Sequence, residues 1–228
     1  MDSSDAASQN PRLYSYVVRT DDGAAPNPFG GICTLAICKP KIRSTARVGD
    51  WVAGVGSKNA RGGNLTGHLV YAMQISDVMS LAEYDRRAPA EWPHRIPDMG
   101  SKELARRLGD CIYDFSDGEP KQRRGVHGEI NVPVDLGGMN ALVSRERFFY
   151  FGREAIALPE HLAGICPPRQ GHRSFANEGK LGPFVEWLES LGLAPGQLHG
   201  WPDVTLKWDE FKACGGCIPR SEGHGGEC

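Results

Sequence analysis

The chain lacks any apolar run approaching the roughly 18 residues that a membrane-spanning helix needs, so no such span is expected. No leader is expected either. Met1 to Asn10 is polar and slightly acidic, with neither a basic start nor an apolar stretch, which together with the cysteine usage predicts a soluble, cytoplasmic protein. There are seven cysteines, an odd number, scattered except at the tail, and this fits reduced thiols rather than a disulfide framework. Charge of one sign is missing as well. A formal net charge of -2 excludes a globally basic nucleic-acid binder, so any such contact must come from a local patch, for which the short basic run Lys121, Arg123 and Arg124 is one candidate and a solvated loop the alternative. Also absent are the phosphate loop Gly-x-x-x-x-Gly-Lys-Ser/Thr, the Gly-x-Ser-x-Gly elbow, the His-Glu-x-x-His pair and the dinucleotide fingerprint, which argues against the enzyme classes built on them.

What is present suits one core. With 228 residues, 40% apolar and 24% charged, the sequence reads as a single domain over 12–205, preceded by a disordered start (1–11) and followed by a flexible Cys/Gly-rich tail (206–228). Strand composition marks Leu13–Arg19, the buried run Ile32–Ile37 that stops at Lys39-Pro40, the stretch after the Gly49-Asp50 turn up to Gly56, and His68–Ile75. The last two are expected to pair antiparallel. Val78, Leu81 and Tyr84 recur at helical spacing and predict a helix over 77–87, with Pro89, Pro93 and Pro97 forbidding regular structure beyond it. A short helix is predicted over 102–108, an extended patch over 112–115 within a loop that ends at Gly128, strands at Ala141–Ser144 and Phe148–Phe151, and an amphipathic helix over 181–191.

Six segments in order, Tyr16–Pro28, Val48–Ser57, His68–Met73, Gly109–Tyr113, Phe148–Gly152 and Arg169–Ser174, resemble the bacterial and phage family of nucleotide modification associated domains, second type, over roughly 13–202. The order strand, Gly-Asp turn, strand, loop, strand is also similar to the small PUA, ASCH and EVE barrels, which hold a base or nucleotide. These resemblances imply a role with modified bases or nucleotides. The fold expected is α+β, with a curved, mainly antiparallel, PUA-like sheet or partial barrel flanked by helices. Function has to be argued from the site itself.

Arg169-Gln-Gly-His-Arg-Ser174 offers two guanidinium groups, an imidazole, a hydroxyl and a glycine, a set suited to holding phosphate with Arg169, Arg173 and Ser174. A solvated basic loop capping the next helix is the alternative. Asp50 and Trp51 read either as a turn residue and a core indole or as a carboxylate and a stacking face beside a base. Tyr113 and Tyr150 carry polar tips that can face a ligand. His172, His127 between two glycines, and His68 after a Gly-rich loop are the candidates for proton transfer. The expected pocket is lined by the Gly-Asp-Trp strand, the His127 loop and the Arg169–Ser174 loop, and it takes a modified nucleotide or nucleic acid, for binding or processing. A non-catalytic reader and a scaffold remain the alternatives.

The tail carries Cys214-x2-Cys217-x6-His224-x3-Cys228, four soft ligands in glycine-rich chain able to wrap a zinc ion, close to a zinc knuckle in type but not in spacing. A reduced tail without metal and a redox CxxC are the other readings.

Overall fold

The computed structural model describes residues 10–169 and 171–204, so the tail and its zinc reading lie outside the described residues. In chain order the elements are β1 (Leu13–Val18), β2 (Cys33–Leu35), α1 (Pro40–Thr45), β3 (Trp51–Gly56), β4 (His68–Gln74), β5 (Asp77–Ser80) and α2 (Leu81–Glu91). There follow α3 (Leu104–Arg107), β6 (Tyr113–Asp114), β7 (Lys121–Gln122), α4 (Val132–Leu136), β8 (Asn140–Ser144), β9 (Phe148–Tyr150), β10 (Ile156–Ala157), β11 (His172–Arg173), α5 (Leu181–Ser190) and β12 (Gln197–Leu198).

Seven strands form one mixed sheet in the order β11-β1-β3-β4-β9-β12, with β10 beside β4. The α+β class is met; the barrel is not, because the strand path ends at β11 and β12 without closing on itself. The sheet also contains two parallel pairs, β1 with β3 and β9 with β12. Parallel neighbours need a crossover connection. The one between β1 and β3 carries β2 and α1, and it becomes the richest part of the molecule chemically. β3 and β4 pair antiparallel, as their composition predicts, with an irregularity at Gly54/Val55. A Cβ at Gly54 would lie 2.4 Å from the Tyr71 ring, so only glycine lets β3 pass that side chain.

Alternation along the strands sends their side chains to two cores. Tyr14, Tyr16, Val52, Tyr71 and Phe148 pack toward Leu35 of β2 and Leu142 of β8, while Leu13, Trp51, Ala53 and Phe149 pack toward Phe184 and Leu188 of α5. The second sheet, β2-β8-β5, is antiparallel, and α2 covers it with Leu81, Tyr84 and Ala88. The helix predicted from Asp77 starts later: Asp77–Ser80 is strand, hydrogen-bonded to β8, and the Ser80 side chain accepts from the Glu83 N–H to start α2. Pro89 lies inside that helix rather than ending it, in the last turn, where only two residues follow it.

A buried polar network fixes the crossover. Arg95, fully buried, donates to the carbonyls of Asn27, Phe29 and Ile32 and to the Thr34 hydroxyl. Asp110 balances it at 3.8 Å while accepting from Thr34 and from Tyr84. Buried charges of this kind persist because each one is paired and hydrogen-bonded.

Candidate functional site

The site grows from the exit of β2. After the buried Ala36 and Ile37, Cys38 and Lys39 both adopt left-handed backbone, with φ of 58° and 44°, before Pro40 opens α1. Two consecutive non-glycine residues there store strain, roughly 1–3 kcal/mol each, that the surroundings must hold in place. They do so at both ends of Cys38. Its N–H donates to Asp135 Oδ1 at 2.8 Å, and its carbonyl accepts from Arg43 Nε at 2.6 Å. Arg43, fully buried, also donates to the carbonyls of Asn140 and Asp135. A Cβ at Gly138 would sit 2.8 Å from the Arg43 guanidinium carbon, so glycine is needed there for the arginine to fit.

Asp135, on α4 and fully buried, gathers three hydrogen bonds. Besides the Cys38 N–H, its Oδ2 accepts from Tyr113 OH at 3.1 Å and pairs with His127 Nδ1 at 2.6 Å. The other imidazole nitrogen, Nε2, lies 3.5 Å from Cys38 Sγ. Gln122 Nε2 donates to the carbonyls of His127 and Gly128, which holds the loop carrying the imidazole. The result is a continuous line of thiol, imidazole and carboxylate. With Asp135 as acceptor, the network assigns the Nδ1 proton to His127 and turns Nε2 toward the sulfur.

The electrostatics follow from this geometry. Burial pulls the His127 pKa down, but the hydrogen bonds to Asp135 and Cys38 and the charges on both outweigh it and push it up to about 11. Burial, then the charge of Asp135 and the hydrogen bond to it, raises Tyr113. Burial lowers Lys39, with Arg19 adding to the effect and Cys38 opposing it. Cys38, His127 and Asp135 also lie close enough together to be weighed as three metal ligands. The imidazole, however, stands between the other two with both nitrogens engaged, and Asp135 already takes three hydrogen bonds. That is the arrangement of a nucleophile, a base and the group that orients the base.

The residues singled out from sequence divide between several places. His127 and Tyr113 are in this cluster. Tyr150 is buried, and its hydroxyl donates to Asp21 Oδ1 at 2.5 Å. Asp50 spends both oxygens on the N–H groups of Arg12 and Arg47, closing the turn before β3. Trp51 is 2% exposed on the α5 face, edge-on to Phe184 at 6.1 Å. His68 bonds the Thr66 carbonyl through Nδ1. On β11, His172 pairs with Tyr16 and Arg173 with Ser15, so their side chains leave opposite faces of the sheet. Arg173 donates to the Gly164 carbonyl, Ser174 lies in the bend leading to the next turn of helix, and Arg169 is exposed. His172 is exposed as a residue, but partial burial of its ring, then the charges of Lys39 and Lys41, lowers its pKa.

Sequence reasoning missed Cys38, Asp135 and Arg43. One signal for Cys38 was there: a cysteine ending an apolar strand and standing one residue before a helix-opening proline.

Fold and site together define an α+β protein with a cysteine–histidine–aspartate relay in the crossover between two parallel strands. Residues 10–208 match the family model described as nucleotide modification associated domain 2, and the chain belongs to that family. No curated protein and no solved structure matches it. Among the described residues no helix is long and apolar enough to cross a membrane.

Proposed function

We infer that the protein is a cysteine-dependent enzyme of nucleotide modification, acting on a base or nucleotide that carries an acyl or amide group. The observation that carries this reading is the line from Cys38 Sγ through His127 to Asp135. In the reaction, Cys38 Sγ attacks the carbonyl carbon and the imidazolium of His127 gives its proton to the leaving amine or hydroxyl. A thioester remains on Cys38. Water, deprotonated by His127, then adds to the thioester carbon, and the sulfur leaves as thiolate beside the re-formed imidazolium, with the acid as product. Asp135 orients the imidazole and balances its charge, while Arg43 and Tyr113 hold Asp135 and the Cys38 backbone in register. His127 takes the proton-transfer role ahead of His172, which is exposed, and His68, whose Nδ1 faces a carbonyl.

The test uses the full chain with nucleotides acylated on an exocyclic amine, read by intact-protein mass spectrometry and product release. A mass increase on Cys38, absent in Cys38→Ser, is the expected result, and His127→Gln should lower turnover by about 10²-fold or more. Alkylation of Cys38 by iodoacetamide at pH 6.5 should also be at least several-fold slower in His127→Gln, since the imidazolium supplies the counter-charge to a thiolate. If no acylated nucleotide reacts and alkylation is indifferent to His127, the non-catalytic reader is the better account.

A further inference from the structure

A cavity opens at the carboxyl ends of β1 and β3, with an apolar floor that includes Val18, Leu65 and Val70. The two strands are parallel and finish in register, Val18 opposite Gly56. Their outgoing chains diverge, one through Asp21 and Asp22 into the crossover, the other into the Gly-rich loop over 57–67. A crevice between diverging exits is where parallel strands leave room for a ligand. It is lined by Arg19, Asp21, Arg61, Gly152, Arg153 and Asp203, among others.

Asp21 is the unusual member. Its Oδ1 takes the Tyr150 hydroxyl, but its Oδ2 is buried and has no hydrogen-bond partner. Gly23 N–H lies toward the carboxyl and favours its charged form. A buried carboxylate oxygen without a partner is costly, and a site serving only the fold would be satisfied by a hydroxyl. Around it the charges are of both signs. Asp203, whose N–H donates to the Asp21 carbonyl, adds a second carboxylate, while Arg19, Arg61 and Arg153 stand among the lining residues, Arg153 with its Nε on Glu154 at 2.9 Å and its other guanidinium nitrogens left for an anion. An acceptor in the depth and cations along the walls match a ligand with N–H donors at one end and an anion at the other.

The cavity and the relay draw on the same crossover, which carries both Asp21 and Cys38 between β1 and β3. Asp22 follows Asp21 in sequence, and its carboxyl senses both His127, in the relay, and Arg61, in the cavity. Lys39, next to Cys38, senses Arg19. We propose that this cavity is the recognition pocket of the Cys38 site, taking the N–H edge of a nucleobase on Asp21 Oδ2 and the phosphate of the same nucleotide on Arg61 and Arg153. The proposal rests on the reading of Cys38 as the nucleophile of a nucleotide-modifying enzyme.

The experiment separates the two. Isothermal titration of full-length Cys38→Ser with nucleoside 5′-monophosphates, the matching nucleosides and inorganic phosphate measures recognition without chemistry. A monophosphate should bind at least tenfold more tightly than its nucleoside or than phosphate alone. Adding Asp21→Leu should weaken nucleotide binding about tenfold or more, and Asp21→Asn should do so to a lesser degree in a better-preserved fold. Arg61→Ala and Arg153→Ala should each narrow the gap between nucleotide and nucleoside. In the protein with Cys38 intact, a bound monophosphate should slow alkylation of that cysteine. Nucleotide affinity unchanged in both Asp21 variants, phosphate binding as tightly as nucleotide, or binding that leaves Cys38 alkylation untouched would each overturn the proposal. Failure of the nucleophile reading shows separately, as alkylation that does not depend on His127.

Discussion

Two side chains of this protein hold protons against their ordinary tendencies, and in opposite thermodynamic directions. His127 is raised in the folded state to about 11, well above the ordinary 6.5, so its contribution to stability is complete below about pH 6.5 and is lost as pH rises toward 11. The destabilisation caused by His127→Gln, followed by urea unfolding, should therefore be greatest at or below pH 6.5 and shrink in alkaline solution. Asp21 is raised to about 7, first by burial, against the Tyr150 hydrogen bond, and then by Asp22 and Asp203. A raised carboxyl has the opposite sign: the folded state binds more protons than the unfolded one between the ordinary 3.8 and 7, so the charge destabilises the fold above pH 7. Asp21→Asn should stabilise the protein by about 1–2 kcal/mol at pH 8, and the gain should fade as pH drops toward 4. Stabilisation combined with weaker nucleotide binding would mark a residue kept for function. An Asp21→Asn protein no more stable than the parent at pH 8 would remove the evidence that this carboxylate is held at a cost.

At the scale of elements, α1 and α4 are too short to stand alone and are tied together by Arg43. Its guanidinium spans three carbonyls, from Cys38, Asp135 and Asn140, on three separate segments. Lysine keeps the charge but has one compact donor head in place of a planar fork. Arg43→Lys is thus expected to cost about 2–4 kcal/mol in urea unfolding, through the carbonyls left without partners, and to slow Cys38 alkylation as the left-handed backbone relaxes. Loss of stability with unchanged alkylation would confine Arg43 to folding. These ties explain what the sequence concealed. Asp135 lies 97 residues from Cys38 and His127 lies 89 from it, and no local pattern records such a meeting. His127 stood out because glycines flank it; Asp135, within Val-Pro-Val-Asp-Leu, carries no mark of its own. The start of α2 was misread for a related reason. Val78 has helical spacing to Leu81, yet Asp77–Ser80 is claimed by pairing with β8, sixty or more residues away.

For the whole molecule, the central strands were legible because they are apolar and short, whereas the order of the sheet was not, since the parallel pairing of β1 with β3 is set by the crossover and by Arg95. The same layering decides the role of Trp51. From sequence, its indole suited a base-stacking face as well as a core. In the structure it belongs to the layer joining the seven-stranded sheet to α5, with Phe184 edge-on to it at 6.1 Å and the Arg147 guanidinium 5.3 Å from its ring. Asp21 and Cys38 lie on the crossover, whose β2 packs against the opposite face of the sheet. Removing a buried tryptophan loses its transfer free energy and leaves a cavity, about 3–5 kcal/mol in total. For a chain of this length each kcal/mol moves the melting temperature by about 2–4 °C, so Trp51→Ala should lower Tm by roughly 10 °C. Below that temperature, nucleotide affinity and the rate of Cys38 alkylation should match the parent, because α5 meets neither. The two measurements on one variant separate the layers: a small change in Tm with weakened nucleotide binding would return Trp51 to the ligand and move the recognition pocket to the α5 face of the sheet.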